Sequence, residues 1–184
     1  MKIFLRSFFV AFLGFFLMLP SMAQESSQNV IKANIFSPLV RTGSFFYERS
    51  MNEAMSIQFG FFYTGISVLE TSFSGFGITP EFRYYMSEKR VSPSGVFIAP
   101  YLRYQSFNLT TEIDDGKASY SAMGGGLLVG YQSVVRNRIS IEAFIGPAYS
   151  VGNVKVEAGD AGSFDVGYFD GFGVRTGVTV GLAF

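Results

Sequence analysis

The sequence contains no cysteine, no histidine and no tryptophan among its 184 residues. Without cysteine there is no disulfide framework, no thiol nucleophile and no zinc-thiolate site. Without histidine the chain lacks the commonest general base and metal ligand. Basic and acidic residues balance at 14 each, so no net charge draws the chain to nucleic acid. We therefore expect neither an enzyme nor a nucleic-acid-binding protein, and we expect no cofactor.

Charged residues are also scarce, at 15% of the chain against the roughly 25% of an average soluble domain. Apolar residues make up 48% and aromatic residues 17%, a composition that excludes a disordered chain. The 21 glycines and 22 phenylalanines together favour many β-strands over helices.

The first 23 residues have the features of a cleaved signal peptide. Lys2 and Arg6 precede an apolar run over residues 7–19, and small residues then occupy the two positions that a signal peptidase inspects, which places cleavage after Ala23. A membrane-spanning helix is the alternative, but the run is shorter than the roughly 20 residues that a span needs. We expect residues 24–184 to form one domain outside the cytoplasm.

Beyond the signal peptide the apolar residues recur with a period of two, which indicates β-strands. Several of these segments reach about 9 residues or more, longer than the five or six of ordinary globular strands. The eight predicted strands cover residues 29–36, 43–50, 55–65, 77–85, 95–107, 119–132, 139–151 and 169–184.

Every second residue of these strands belongs to one of two contrasting faces. One face carries bulky apolar side chains and no charge. The other combines glycine and alanine with a few ionisable residues, namely Lys32, Glu48, Glu81, Arg83, Arg103, Glu142 and Arg175.

A closed barrel of eight strands has an interior just wide enough for side chains, which suits the face rich in glycine. The bulky face would then point outwards, where hydrocarbon tolerates it and water does not. The reverse orientation would cost about 2–4 kcal/mol for each Lys or Arg near the membrane midplane. We predict an all-β, eight-stranded antiparallel up-and-down transmembrane barrel, with its interior charges paired because buried charges need partners.

The tyrosines lie at the ends of the apolar face, an arrangement typical of the two aromatic girdles of transmembrane barrels. With the N-terminus on the periplasmic side, the outer girdle would contain Tyr63, Tyr104 and Tyr149. The periplasmic girdle would contain Tyr47, Tyr84, Tyr131 and Phe184.

Five segments carry a resemblance to known proteins: NVIKANIFSP, FFYERS, ITPEFRYYM, FIAPYLRYQ and GVTVGLAF. Over essentially all of the mature chain the sequence resembles the small eight-stranded outer-membrane barrels of diderm bacteria, such as OmpX and the OmpA transmembrane domain. More specifically, it resembles a domain-of-unknown-function family of OmpA-like barrels. The resemblance implies a monomer in outer-membrane lipid. It also implies that Phe184 ends the signal that the barrel-assembly machinery recognises.

Three functions are compatible with these patterns. The first is a structural or surface-interaction protein whose lumen is closed by the charges. The second is a narrow pore for ions or small solutes, in which the ion pairs exchange partners. The third is a soluble, lipocalin-like periplasmic carrier with the apolar face turned inwards to a ligand. The long connections would offer a surface partner an acidic face, formed by Glu70, Glu112, Asp114, Asp115, Glu157, Asp160 and Asp165.

Three prolines conflict with the predicted ladders. Pro80, Pro100 and Pro147 fall within strands, although proline has no N–H to donate and a closed barrel has no edge. We expect β-bulges or strand ends at these positions.

Overall fold

The computed structural model describes residues 27–68, 71–86, 91–111, 117–158 and 171–184. Eight strands form a closed barrel in which each strand pairs antiparallel with the next and β8 closes onto β1. The strands are β1 Asn29–Asn34, β2 Thr42–Ser50, β3 Met55–Val68, β4 Thr71–Tyr85, β5 Gly95–Thr111, β6 Lys117–Val135, β7 Ile139–Ala158 and β8 Gly171–Ala183. The predicted fold class is confirmed.

Some of the predicted features fall outside this part of the chain. The predicted signal peptide, residues 1–23, and the acidic connections around Glu70, Asp114 and Asp160 lie outside the described residues. Within the described ranges, no helix is long and apolar enough to cross a membrane.

The barrel wall is uneven in height. Strands β5 to β7 extend beyond their predicted ends into polar sequence, including Asn108 and Asn153, because backbone pairing does not require an apolar face. β1 instead ends at Asn34, and a short 3-10 helix, Ser37–Val40, follows it with Pro38 in its first turn. Arg41 ends this helix in the left-handed conformation, with a φ of 49°. The wall is therefore low at β1 and β2 and tall at β5 to β7.

The two faces point as the period-two pattern predicts. Leu102 is 64% exposed, whereas Arg83 is fully buried. The outward apolar side chains include Ile31, Phe45, Phe59, Phe61, Ile78, Phe82, Val96, Leu102, Val129, Ile141, Ile145 and Val174. Among the side chains whose exposure is described, the exposed ones that carry a charge lie in turns or near strand ends, and are Arg41, Arg49, Glu53, Arg136 and Arg138.

The prolines produce neither the bulges nor the strand ends that we expected. β4 and β5 pair Ile78 with Tyr104 and Glu81 with Tyr101, so the register is the same on both sides of Pro80 while the pairing lapses beside it. The pairing of β4 with β5 lapses in the same way beside Pro100, and that of β6 with β7 beside Pro147. The other neighbour of each strand keeps its pairing, for example Phe59 with Pro80. A proline in this closed barrel therefore interrupts the hydrogen-bond ladder with one neighbouring strand only, because only that neighbour loses an N–H donor.

Glycines on the inward face make room for the large side chains beside them. A Cβ atom at Gly130 would lie 2.8 Å from the Cε1 atom of Phe97 and 2.7 Å from the Ala143 carbonyl oxygen. A Cβ atom at Gly181 would lie 2.6 Å from the Cγ atom of Lys32. Both distances are too short for a methyl group, so glycine at these positions lets the ring and the lysine stem lie against the wall.

Candidate functional site

Charged side chains from five strands meet inside the barrel, in the half nearer the chain termini. We call this cluster the ionic network. Cross-strand pairing places Glu48 opposite Gln58 and Gln58 opposite Glu81, which gathers these inward side chains at one level. The members of the network are Lys32, Glu48, Glu81, Arg83, Glu142 and Arg175.

Arg83 lies at the centre of the ionic network. Its two terminal nitrogens donate to the two carboxylate oxygens of Glu142, at 2.8 and 3.0 Å, in a two-pronged pair. Its Nε and Nη2 atoms donate to Oε2 of Glu81, at 3.3 and 3.0 Å. The guanidinium carbon also lies 4.4 Å from the centre of the Phe97 ring. Such a planar, bidentate cation holds carboxylates from several strands in one fixed geometry.

Lys32 supplies the second cation at this level. Its ammonium group donates to Oε2 of Glu48 at 2.6 Å and to Oε1 of Gln132 at 2.8 Å. It also donates to Glu142, so that carboxylate is shared between Lys32 and Arg83.

Neutral side chains complete the coordination of the carboxylates. Tyr85 and Ser56 donate hydroxyl hydrogen bonds to Oε1 of Glu48, at 2.6 and 2.5 Å, and Gln58 donates to Glu81 at 2.9 Å. Our site prediction did not include these residues. The period of two signals Tyr85, because it shares the inward face of β4 with Glu81 and Arg83.

Arg175 and Arg103 differ from the other two cations. Arg175 donates to Oε1 of Glu81 at 2.6 Å and thereby joins the ionic network at its edge. Arg103 forms none of the salt bridges found among the described residues, and its Nε atom has no hydrogen-bond partner there. Its guanidinium instead lies 4.5 Å from the centre of the Phe62 ring. The seven predicted residues therefore divide into a balanced set of six and one unpaired arginine.

A cavity of about 500 Å³ lies beyond the ionic network, on the side away from the chain termini. We call it the vestibule. Arg103 and Arg175 line it together with Phe46, Phe62 and Gln105. The short helix after β1 forms part of its boundary through Ser37 and Val40, on the side where the wall is low.

The residues predicted for the aromatic girdles are all exposed on the outside of the barrel. Tyr47, Tyr84 and Tyr131 lie near the ends of their strands, and the hydroxyl of Tyr47 donates to Asn29 at 2.8 Å. Tyr149 packs edge-on against Phe172, with ring centres 5.1 Å apart. The structure describes their positions, and contact with a membrane interface remains a prediction for all seven residues.

The chemistry available in the interior is limited by how fully its carboxylates are used. Glu48, Glu81 and Glu142 each bind at least two donors, which leaves none of them placed as a free base. In the described ranges no group of three or more histidine, cysteine, aspartate or glutamate residues is arranged to hold a metal ion. This arrangement holds the side chains of the network in fixed positions in the buried interior.

The pairing pattern predicts unequal effects for two buried arginines. Arg83→Met leaves three buried carboxylates with only two cations, so we expect the free energy of unfolding to fall by about 3–5 kcal/mol. Arg103→Met is the matched control and should change it by about 1 kcal/mol or less, because the lost contact with the Phe62 ring is offset by the removal of a buried charge that has no counter-charge. The measurement is urea unfolding of the refolded barrel, followed by tyrosine fluorescence. Equal losses for the two variants would contradict the division of the interior charges.

Comparison with solved structures finds other barrels of similar length at low identity. The N-terminal β-barrel domain of Pseudomonas aeruginosa OprF is 13% identical, with 88% of this chain and 100% of that chain covered and a TM-score of 0.47. Acinetobacter baumannii CarO2 is 10% identical, with coverages of 85% and 97% and a TM-score of 0.44. A major outer membrane protein from Thermus thermophilus is 15% identical, with coverages of 85% and 97% and a TM-score of 0.45.

Among curated proteins, none is similar enough to this chain to count as a match. A family profile does match it, over residues 11–158, which is most of the sequence and includes strands β1 to β7. The chain therefore belongs to the family described as Protein of unknown function (DUF3575).

Proposed function

We propose that this protein is an integral outer-membrane barrel with a closed lumen and a structural or surface-interaction role rather than an enzymatic one. The observation that carries the proposal is the outward belt of bulky apolar side chains around an interior of paired charges. Water would not tolerate so large a continuous apolar surface, whereas hydrocarbon would.

The height of the apolar belt supports a membrane location. On β5 the outward residues are Val96, Ile98, Pro100, Leu102 and Tyr104, and after them Ser106, Asn108 and Thr110. Residues 96–104 extend about 27 Å along the strand. Because the strands of a barrel are tilted by about 40° from its axis, this length spans about 21 Å along the axis. This height is close to the apolar band of about 25 Å found on transmembrane barrels.

The structure counts against the lipocalin-like carrier. That function requires the apolar face to line a ligand cavity, and Phe59, Phe82 and Leu102 instead point outwards. The ionic network fills the half of the barrel interior nearer the chain termini, into which a lipocalin-like cavity would extend.

Burial of the ionic network supports a closed lumen. Lys32, Glu48, Glu81, Arg83 and Glu142 are all between 0 and 2% exposed. A water-filled path through the barrel would leave the side chains beside it partly exposed. The burial of these five side chains therefore argues against such a path at their level. The narrow pore therefore requires the network to rearrange, at the cost of separating buried ion pairs.

Partners of the barrel follow from the same proposal. Outer-membrane lipid would contact the apolar belt, and the barrel-assembly machinery would recognise the C-terminal strand that ends in Phe184. A surface partner would bind at the acidic outer connections. The protein would act as a monomer, because a closed barrel leaves no unpaired strand edge for a second copy.

An arginine placed on the belt tests the membrane location. In lipid vesicles we expect Leu102→Arg to lower the free energy of unfolding by about 2–4 kcal/mol, because the charge lies near the membrane midplane. Asn108→Arg is the matched control on the outward face of the same strand, and should cost about 0–1 kcal/mol because it lies beyond the belt. Denaturant unfolding monitored by tyrosine fluorescence measures both. A similar small cost for the two variants would mean that Leu102 faces water.

Electrical recording tests the closed lumen. We expect the wild-type barrel, inserted into a planar lipid bilayer, to give no steady conductance. A barrel that retains its heat-sensitive gel mobility serves as the control for folding. Steady current steps whose size changes in Arg83→Gln would overturn the closed lumen and establish the pore.

A further inference from the structure

The interior charges of the barrel do not sum to zero. The inward face carries the cations Lys32, Arg83, Arg103 and Arg175 and the carboxylates of Glu48, Glu81 and Glu142. The three carboxylates are all engaged by the other three cations, which leaves the positive charge of Arg103 uncompensated by any described carboxylate. Burying a cation without a counter-charge costs free energy. An anion bound beside Arg103 would offset that cost.

Two donors without partners belong to the two arginines that line the vestibule. The Nε atom of Arg103 and the Nη1 atom of Arg175 are buried and have no hydrogen-bond partner among the described residues. Both arginines line the vestibule, whose volume of about 500 Å³ is within the range of ligand pockets. Two guanidinium groups with free N–H donors provide the planar geometry that a carboxylate accepts.

The remaining walls of the vestibule are mostly apolar. The inward rings of Phe46, Phe62, Phe107 and Phe144 line it, and Arg103 stacks on one of these rings at 4.5 Å. Hydroxyl and amide side chains, among them Ser44 and Gln105, also belong to the lining. Phosphate has no apolar body, so it would leave the rings uncovered. An anion with an apolar body would bury that body against the rings.

We infer that the vestibule binds a small organic carboxylate with an apolar, ring-sized body, its carboxylate between Arg103 and Arg175 and its body against the phenylalanines. This site adjoins the ionic network, with which it shares Arg175, and it is additional to the structural role proposed above. The low wall at β1 and β2, where the helix Ser37–Val40 borders the vestibule, is the side from which such a ligand would enter.

The test is calorimetric titration of the full chain, refolded in detergent and checked by its heat-sensitive gel mobility. The probes are benzoate, its neutral isostere benzamide, and inorganic phosphate. We expect benzoate to bind with a Kd of about 1 mM or tighter, as ligand-efficiency limits allow for so small a molecule. Benzamide and phosphate should each bind at least about 10-fold more weakly, because one lacks the charge and the other the apolar body.

Three variants connect the binding to the vestibule. Arg103→Gln should weaken benzoate binding by about 10-fold or more, since it removes a charged hydrogen-bond donor. Arg138→Gln removes the same charge from an exposed turn at the opposite end and should leave the affinity unchanged. Gln105→Glu keeps Arg103 and adds a carboxylate on the same inward face of β5, so it should compete with benzoate and weaken its binding as well.

Several results would overturn the inference. One is that benzoate gives no heat of binding up to about 10 mM. Another is that phosphate or benzamide binds as tightly as benzoate. A third is that the affinity for benzoate does not change in Gln105→Glu and Arg103→Gln. The readout is separate from the closed lumen. A barrel that conducts ions and also binds benzoate would refute only the closed lumen. A folded barrel that neither conducts ions nor binds benzoate would refute only the carboxylate site.

Discussion

The interior of an eight-stranded barrel is so narrow that a charge on an inward position must be neutralised by its neighbours rather than by bulk water. In this chain that constraint is met by Arg83, which binds Glu81 and Glu142 at once, and by Lys32, which binds Glu48 and Glu142. Strands that are distant in sequence are thereby joined through the centre as well as around the wall. In the proposed function the network closes the lumen, and its ion pairs connect the strands that supply its members.

The same constraint divides the molecule into layers. The ionic network fills the interior near the chain termini. The vestibule lies beyond it and is lined by Arg103, which forms no salt bridge with the described residues. Outside, the apolar belt surrounds both layers, and the strands continue past it into polar sequence. The inward and outward faces have opposite polarity from those of a soluble β-barrel, which accounts for the low content of charge and the high content of phenylalanine in the sequence.

The fold and the orientation of its faces could be predicted because a period of two is a local property of each strand. The full strand lengths could not, because residues such as Asn108 and Asn153 lie in the ladder without an apolar signal. The excess of one cation among the inward residues was visible in the sequence. That Arg103 is the unpaired one depends on cross-strand register and on which carboxylate each side chain reaches. The prediction of bulges or strand ends at the prolines was wrong. It considered each strand alone, whereas the pairing with one neighbouring strand is interrupted and the register continues on both sides of the interruption.

The direction of the two faces is tested most directly by a spin-label scan, which the absence of native cysteine makes simple. Single cysteines would be placed in turn at residues 96–104 of β5, labelled with a nitroxide and reconstituted in lipid vesicles. We expect collisions with oxygen to be frequent at Val96, Ile98, Leu102 and Tyr104 and rare at Phe97, Ala99 and Tyr101, with little access for a water-soluble nickel reagent at the first set. Frequent collisions of that reagent at Leu102, or of oxygen at Ala99, would contradict a barrel with its apolar face in lipid and its charges enclosed.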